Sequence, residues 1–217
     1  MKKTQFYSFC ILVCFLLGNF VFAVTYNAVT DFNLSGNPNG VWSYGWMQSN
    51  LDINTFSLYT HTASSFWLQW YTPGLSVDST PSVAYNSTGS TQYGVAPGQL
   101  TLHPGPSQQA SVVRFTAPVE GAYTIVGQFL PGHSGVMQVG VRQSSTWLWQ
   151  GTDSGSFNIS KTITLGTTID FLVYGGYGAG NTPLILSITG PTVPEPSTFL
   201  SIAFACIVAY FFKKNGR

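Results

Sequence analysis

Charge is sparse in this sequence. Lys, Arg, Asp and Glu together make up 7% of its 217 residues, against about 25% in ordinary soluble domains. Five of the eight bases, Lys2, Lys3, Lys213, Lys214 and Arg217, sit at the two ends. Between Val24 and Val193 there remain three bases (Arg114, Arg142, Lys161) and six acids (Asp31, Asp52, Asp78, Glu120, Asp153, Asp170), a net charge of −3. Nucleic-acid binding needs clustered Lys and Arg to displace counterions, so that function class is set aside.

Cysteine is sparse as well, with three residues. Cys10, Cys14 and Cys206 all lie in the terminal apolar segments, and the body between has none. Disulfide staples are thereby excluded there, and stability must come from core burial. Amphipathic helices are missing too. The chain has 23 glycines, 12 prolines and 15% aromatics, a mixture that suits short strands and many turns rather than helix. The apolar content is too high for disorder.

What is present in the body is a series of short runs with strand chemistry. They include VWSYGWM, QLTL, ASVVRFT, AYTIVGQFL, SFNISKTITL, TIDFLVY and PLILSIT, separated by turn clusters such as SGNPNG, NSTG, HPGPS and LPGHSG. Runs of that length and spacing predict an all-β chain folded as a β-sandwich or barrel. In AYTIVGQF the period of two puts Tyr123, Ile125, Gly127 and Phe129 on one face. Val139 and Val141 fall with Met137 on one face in the same way. No internal repeat is visible.

The ends carry different signals. Lys2 and Lys3 precede an apolar run from Phe6 to Leu17, and VFA follows, the layout of a secretory signal peptide cut between Ala23 and Val24. At the other end, Phe199 to Phe212 is apolar except for Ser201 and Tyr210, and the basic cluster Lys213, Lys214, Arg217 comes after it. As a helix that stretch spans about 21 Å, against a hydrocarbon core of about 30 Å. It is a short transmembrane helix whose basic end stays cytoplasmic. The expected organisation is residues 1–23 signal peptide, 24–190 β-sandwich ectodomain, 191–198 linker, 199–212 transmembrane segment and 213–217 basic cytoplasmic tail.

The linker and tail together resemble a known signal. Val193, Pro194, Glu195, Pro196, Ser197 and Thr198, followed by an apolar stretch and a short basic end, look like the PEP-CTERM sorting signal of Gram-negative bacteria. That resemblance implies recognition by an exosortase, a membrane protease with a cysteine nucleophile, and delivery to the cell surface or extracellular matrix. The tail departs from the pattern in having Lys213 and Lys214 where an arginine-rich cluster is usual. Within the body, FTAPVEGAYTIVGQF resembles a turn pattern of carbohydrate-binding jelly rolls, and DFNLSGNPNGVWSYGWM with LHPGP is similar to an ectodomain found upstream of PEP-CTERM signals. The resemblance implies a jelly-roll fold and contact with polysaccharide.

Linear signs of catalysis are thin. GHSGV around Ser134 and TDSGS around Ser154 echo nucleophile loops but lack the flanking residues and context. Asp31, Asp78, Glu120 and Asp153 sit in or beside turns, where Asp and Glu serve the backbone. Asp170, inside TIDFLVY, is either on an outer face or paired with Arg114 or Arg142. His61, His103 and His133 have no zinc spacing, and no linear calcium loop is present. No cofactor is therefore expected, although calcium held on loop carbonyls would leave no linear motif.

The aromatics carry the functional expectation. Six tryptophans occur in three close pairs, and i, i+2 spacing in a strand would point Trp147 and Trp149 the same way. Tryptophans fill sandwich cores; flat rings at a rim stack on sugars. Trp42, Tyr44 and Trp46, and Trp67, Trp70 and Tyr71, are the candidates for such a ligand platform. The reading is an exported, non-enzymatic, surface- or matrix-targeted protein contacting polysaccharide. The alternatives are a polysaccharide-active enzyme using Asp170 and Glu120, and a structural subunit that self-associates through strand edges.

Overall fold

The turn clusters and β-rich runs fold as the composition dictates. The computed structural model describes residues 23–75 and 78–193. The expected signal peptide before Ala23, residues Pro194 to Thr198 of the sorting signal, and the expected transmembrane segment all lie outside the described residues. Among the described residues no helix is long and apolar enough to cross a membrane.

In chain order the strands are β1 (Ala23–Asn27), β2 (Trp42–Met47), β3 (Ser57–Leu58), β4 (His61–Ala63), β5 (Leu68–Tyr71), β6 (Ser82–Tyr85) and β7 (Leu100–His103). They continue with β8 (Ala110–Thr116), β9 (Gly121–Phe129), β10 (Gln138–Gln143), β11 (Thr146–Thr152), β12 (Gly155–Ile163), β13 (Thr168–Tyr174) and β14 (Thr182–Pro191). Among the described residues there is one 3₁₀ turn, Ile53–Thr55, capped by Asp52, whose side chain accepts from the Asn54 N–H. One eight-stranded sheet has the order β12-β9-β14-β7-β6-β5-β4, with β1 also on β14; a six-stranded sheet has the order β11-β10-β13-β8-β2-β3. All recorded pairings between these strands, from β2 onward, are antiparallel.

From β7 to β14, every connection crosses from one sheet to the other except the β10–β11 hairpin. The resulting quartets, β12-β9-β14-β7 and β11-β10-β13-β8, are the two four-stranded sheets of a jelly roll. The fold is thus an all-β jelly-roll sandwich, extended by β2 to β6. Its core lies between the sheets. Tyr123, Ile125 and Phe129 of β9 and Leu184, Leu186 and Ile188 of β14 face Phe115, Phe171 and Val141 of the other sheet in one apolar cluster. The turn before β9 is tied down by the Tyr123 hydroxyl, which donates to the Val119 carbonyl at 2.8 Å. This is the same bond back to the upstream backbone that closes the corners of other Greek-key sandwiches.

A second, smaller cluster lies on the far side of the six-stranded sheet. Leu51, Ile53 and Phe56 of the excursion between β2 and β3 fold over Met47, Val112 and Leu172. Beneath them lies a charge triad. Asp170, 0% exposed, accepts from Arg114 Nε at 2.6 Å and Nη2 at 3.0 Å, and Arg142 Nε stands 3.6 Å away. Arg142 also donates to the Leu51 carbonyl at 2.6 Å, and Phe56 lies 3.6 Å from the Arg114 guanidinium carbon. Burial lowers the Arg142 guanidinium from its ordinary value while Asp170 holds it up.

One expectation of the period-two reading is corrected here. Val141 pairs with Trp149 and Arg142 with Trp147, so Leu148 has no partner and the register shifts. This β-bulge turns the two tryptophans to opposite faces. Trp149 stacks on Phe129 in the main core, with centroids 6.0 Å apart and planes 10° apart. Trp147 lies on the outer face against Tyr174.

Candidate functional site

The proposed platform residues divide by burial. Trp42 and Tyr44 are fully enclosed core residues, and Trp70 joins them. The reason is local. The segment between β1 and β2 is a polar plug: Asp31 accepts from Trp42 Nε1 at 3.0 Å, and the Asn33 carbonyl accepts from Trp70 Nε1 at 2.8 Å. Asn37 donates to the carbonyls of Tyr44 at 2.7 Å and Tyr59 at 3.0 Å, and accepts from the Tyr44 N–H at 2.9 Å. The two indoles are therefore held inside by their N–H groups and Tyr44 by its backbone, and all three rings are closed to a ligand. Trp46 packs half-buried against the core. Tyr71 is half-buried beside His61, with ring centroids 6.0 Å apart. Val193 is exposed, and Ala23 opens β1.

Trp67 is different. Only 7% exposed, it sits outside the main core in a small cluster with Ala84 and Val95. Val83 faces the main core, so its neighbour Ala84 faces the outer side of the eight-stranded sheet. Around Trp67 stand two open rings, Phe66 at 47% and Tyr93 at 58% exposure. Phe66 stacks on Trp67 at 5.5 Å and 25°. Tyr93 meets Phe66 edge-on at 6.2 Å and His133 at 5.6 Å. Sequence reasoning had Trp67 but missed Phe66, Tyr93 and His133, which three separate loops bring together.

Those loops are rigid for identifiable reasons. Gln92 and Val95 exchange backbone hydrogen bonds at 3.0 and 2.9 Å. Between them, Tyr93 and Gly94 both take positive φ, 48° and 78°, the requirement of a type I′ hairpin turn. A side chain on Gly94 would collide with the backbone of Gly132 and His133, so the two loops touch. Asn86 anchors the base of the first loop by donating to the carbonyls of Ser90 and Val95 at 3.0 and 2.8 Å. The second loop is bonded to the segment before β14 through His133 N–H to the Asn181 carbonyl at 2.9 Å and Gly135 N–H to the Ala179 carbonyl at 3.0 Å. That segment is in turn held by His103, whose Nε2 accepts from the Gly180 N–H at 3.2 Å while Nδ1 stands 2.7 Å from the Pro104 carbonyl. The tautomer follows: Nδ1 carries the proton. Burial pulls the His103 imidazole below the usual histidine value, with the Pro104 carbonyl pulling it back.

Under the rim lie two polar atoms shut off from solvent and without a hydrogen-bond partner, Trp67 Nε1 and Thr101 Oγ1. Thr101 is directly opposite Ala84 in the sheet, on the same outer side. What stays open to a ligand is the aromatic rim of Phe66 and Tyr93, which offers stacking faces without charge.

Catalytic groups are not assembled in this way. Asp170 is enclosed by two arginines, while Glu120 is exposed in the β8–β9 turn. The recorded histidine side-chain bonds join His61 to Thr60 and His103 to Pro104 and Gly180; neither Ser134 nor Ser154 has one. Among the described residues no three His, Cys, Asp or Glu side chains gather as a metal site.

No protein-family profile matches the chain, and neither does any curated protein. Among solved structures, the chain is similar to CBM35 from Paenibacillus barcinonensis at 14% identity, over 78% of this chain and 99% of that one, with a TM-score of 0.29. It is similar to the K3 adhesin domain of Lys-gingipain from Porphyromonas gingivalis at 8% identity, over 77% and 99%, with a TM-score of 0.33. A Stig cyclase from Fischerella overlaps at 11% identity, over 70% and 100%, with a TM-score of 0.34. Overlap this loose assigns neither fold nor function; the jelly roll rests on the strand order.

Proposed function

We propose that this chain is an exported, non-catalytic carbohydrate-contacting protein, sorted by its PEP-CTERM-like tail to the outer surface or matrix of a Gram-negative cell. The supporting observation is the rim: Phe66 and Tyr93 stand open around Trp67 as uncharged aromatic faces. Exposed rings on a rigid turn lose little entropy on stacking against a sugar. An exosortase would act at Pro194 to Pro196, and calcium on loop carbonyls stays compatible with the reading. Hydrolysis is the weaker alternative, because a carboxylate with no solvent exposure cannot flank a glycosidic bond.

The test is retention of the purified full chain in gels containing xylan, laminarin, barley β-glucan or dextran. Phe66→Ala with Tyr93→Ala should weaken retention of the rim-bound polymer without lowering the unfolding midpoint. No retention on any polymer overturns the reading. A structural matrix role has one observation of its own, the nine-residue edge strand β12, whose outward Ser156, Asn158, Ser160 and Thr162 are uncharged and whose one charge is Lys161 on the other face. Sedimentation at rising concentration checks it, and a strict monomer counts against it.

A further inference from the structure

We propose a second sugar-stacking site on the opposite sheet, formed by Trp147 and Tyr174, which makes the protein bivalent for uncharged polysaccharide. The inference rests on the carbohydrate reading above but on none of the rim residues.

The bulge at Leu148 is its origin, because it turns Trp147 out of the core alternation. An edge of the Trp147 ring then lies against Gly140, where an added Cβ would collide with it. The indole is half-buried, so part of it stays open to solvent. Tyr174 extends it as a near-parallel ring, with planes 20° apart and centroids 5.7 Å apart. The step is rigid. Gln150 Nε2 donates to the Tyr174 hydroxyl at 3.2 Å, and Thr152 Oγ1 donates to Gln138 Oε1 at 3.2 Å. These neutral amides and hydroxyls fringe the rings.

That composition selects the ligand. The apolar C–H face of a pyranose matches a flat ring, and its equatorial hydroxyls match surrounding amides. A nucleobase would also stack, but its phosphates need nearby free bases. Here the adjoining cation is Arg142, buried, 5.7 Å from the ring and held by Asp170. The platform faces away from the core on the six-stranded sheet, and the rim does so on the eight-stranded sheet. One sugar ring cannot touch both, so two engaged sites link two chains or two stretches of one chain.

The experiment uses the full chain with the four polymers above and poly(dT), scoring gel retention and polymer cross-linking by light scattering. Wild type should cross-link the retained polymer. Trp147→Ala should keep rim-dependent retention, weakened about tenfold through lost avidity, and lose cross-linking. Trp147→Phe should keep cross-linking, and Gln138→Ala with Gln150→Ala should weaken it should Trp147→Ala fail to fold. Cross-linking unchanged in Trp147→Ala and in the double amide variant overturns the second site while the rim reading stands. Retention lost only through Phe66 and Tyr93 does the same. No polymer retained overturns both. Trp147-dependent retention of poly(dT) overturns the sugar assignment.

Discussion

Asp170 stands directly opposite Arg114 on the neighbouring strand and takes both of its hydrogen bonds, at 2.6 and 3.0 Å. The pair lies on the face of its sheet away from the main core, yet the segment carrying Leu51, Ile53 and Phe56 closes it from water. Charged residues, sparse in this chain, are thus used here as an internal tie between β8, β13 and β10.

Asp170→Asn should therefore cost stability rather than binding. It leaves two arginines facing each other under an apolar cover, a situation that costs about 3–5 kcal/mol when a buried pair is broken. Urea unfolding of the variant should show that loss, with polysaccharide retention of the folded fraction unchanged. A variant as stable as wild type but unable to bind or turn over polymer would restore Asp170 as a functional residue.

Asn37→Ala should be similarly severe for a residue in an irregular loop. One amide serves the Tyr44 N–H and the carbonyls of Tyr44 and Tyr59. Its loss strands the Tyr44 N–H and the Tyr59 carbonyl, while the Tyr44 carbonyl keeps the Tyr59 N–H at 3.0 Å; each stranded group costs about 1–3 kcal/mol when fully buried. A net loss of about 3 kcal/mol in denaturant unfolding is expected; below about 0.5 kcal/mol the clamp is dispensable.

Much of this was legible in the sequence. The alternation in AYTIVGQF put Tyr123, Ile125, Gly127 and Phe129 inside, where they are, because a strand with one solvated face shows its period. Asp170 was partly legible: a charge within TIDFLVY had to lie on an outer face or pair with Arg114 or Arg142, and it pairs with both. β6 was not: in Ser82–Tyr85 both faces are covered, one by the core and one by Val95 and Trp67, so no alternation remains. The bulge at Leu148 was invisible for a related reason. A single unpaired residue is fixed by the register of β10 against β11 and leaves no mark in composition. The rim was least legible, because Phe66, Tyr93 and His133 meet only through loop packing. Trp42 and Tyr44 looked like platform residues because the asparagines and the aspartate that hold them inside read as ordinary turn chemistry.

Gly94→Ala tests whether the rim is preorganised. The new methyl group needs a positive φ and meets the Gly132–His133 backbone. Overpacking of that kind costs about 1–3 kcal/mol, or about 2–4 °C of Tm per kcal/mol in a domain of this size. Polymer retention should fall together with Tm, since Tyr93 moves with the turn. Unchanged retention would mean that Tyr93 adapts rather than waits in place.

Acid should loosen the loop framework through His103. Its folded-state pKa lies below the ordinary 6.5, burial being the main cause, opposed by the Pro104 carbonyl and Asp78 and reinforced by His133. The unfolded chain therefore binds the proton first. The stability contributed by neutral His103 is complete above about pH 6.5 and declines as the pH falls towards the folded-state value, by at most about 1.4 kcal/mol per pH unit for one proton. Protonation puts a hydrogen on Nε2, where the Gly180 N–H must donate, so the segment before β14 is the part released. His103→Gln keeps an acceptor near that position and does not titrate. Unfolding free energies measured between pH 7.5 and 5 should fall more steeply for wild type than for His103→Gln. Parallel pH profiles would show that His103 does not govern the acid sensitivity of these loops.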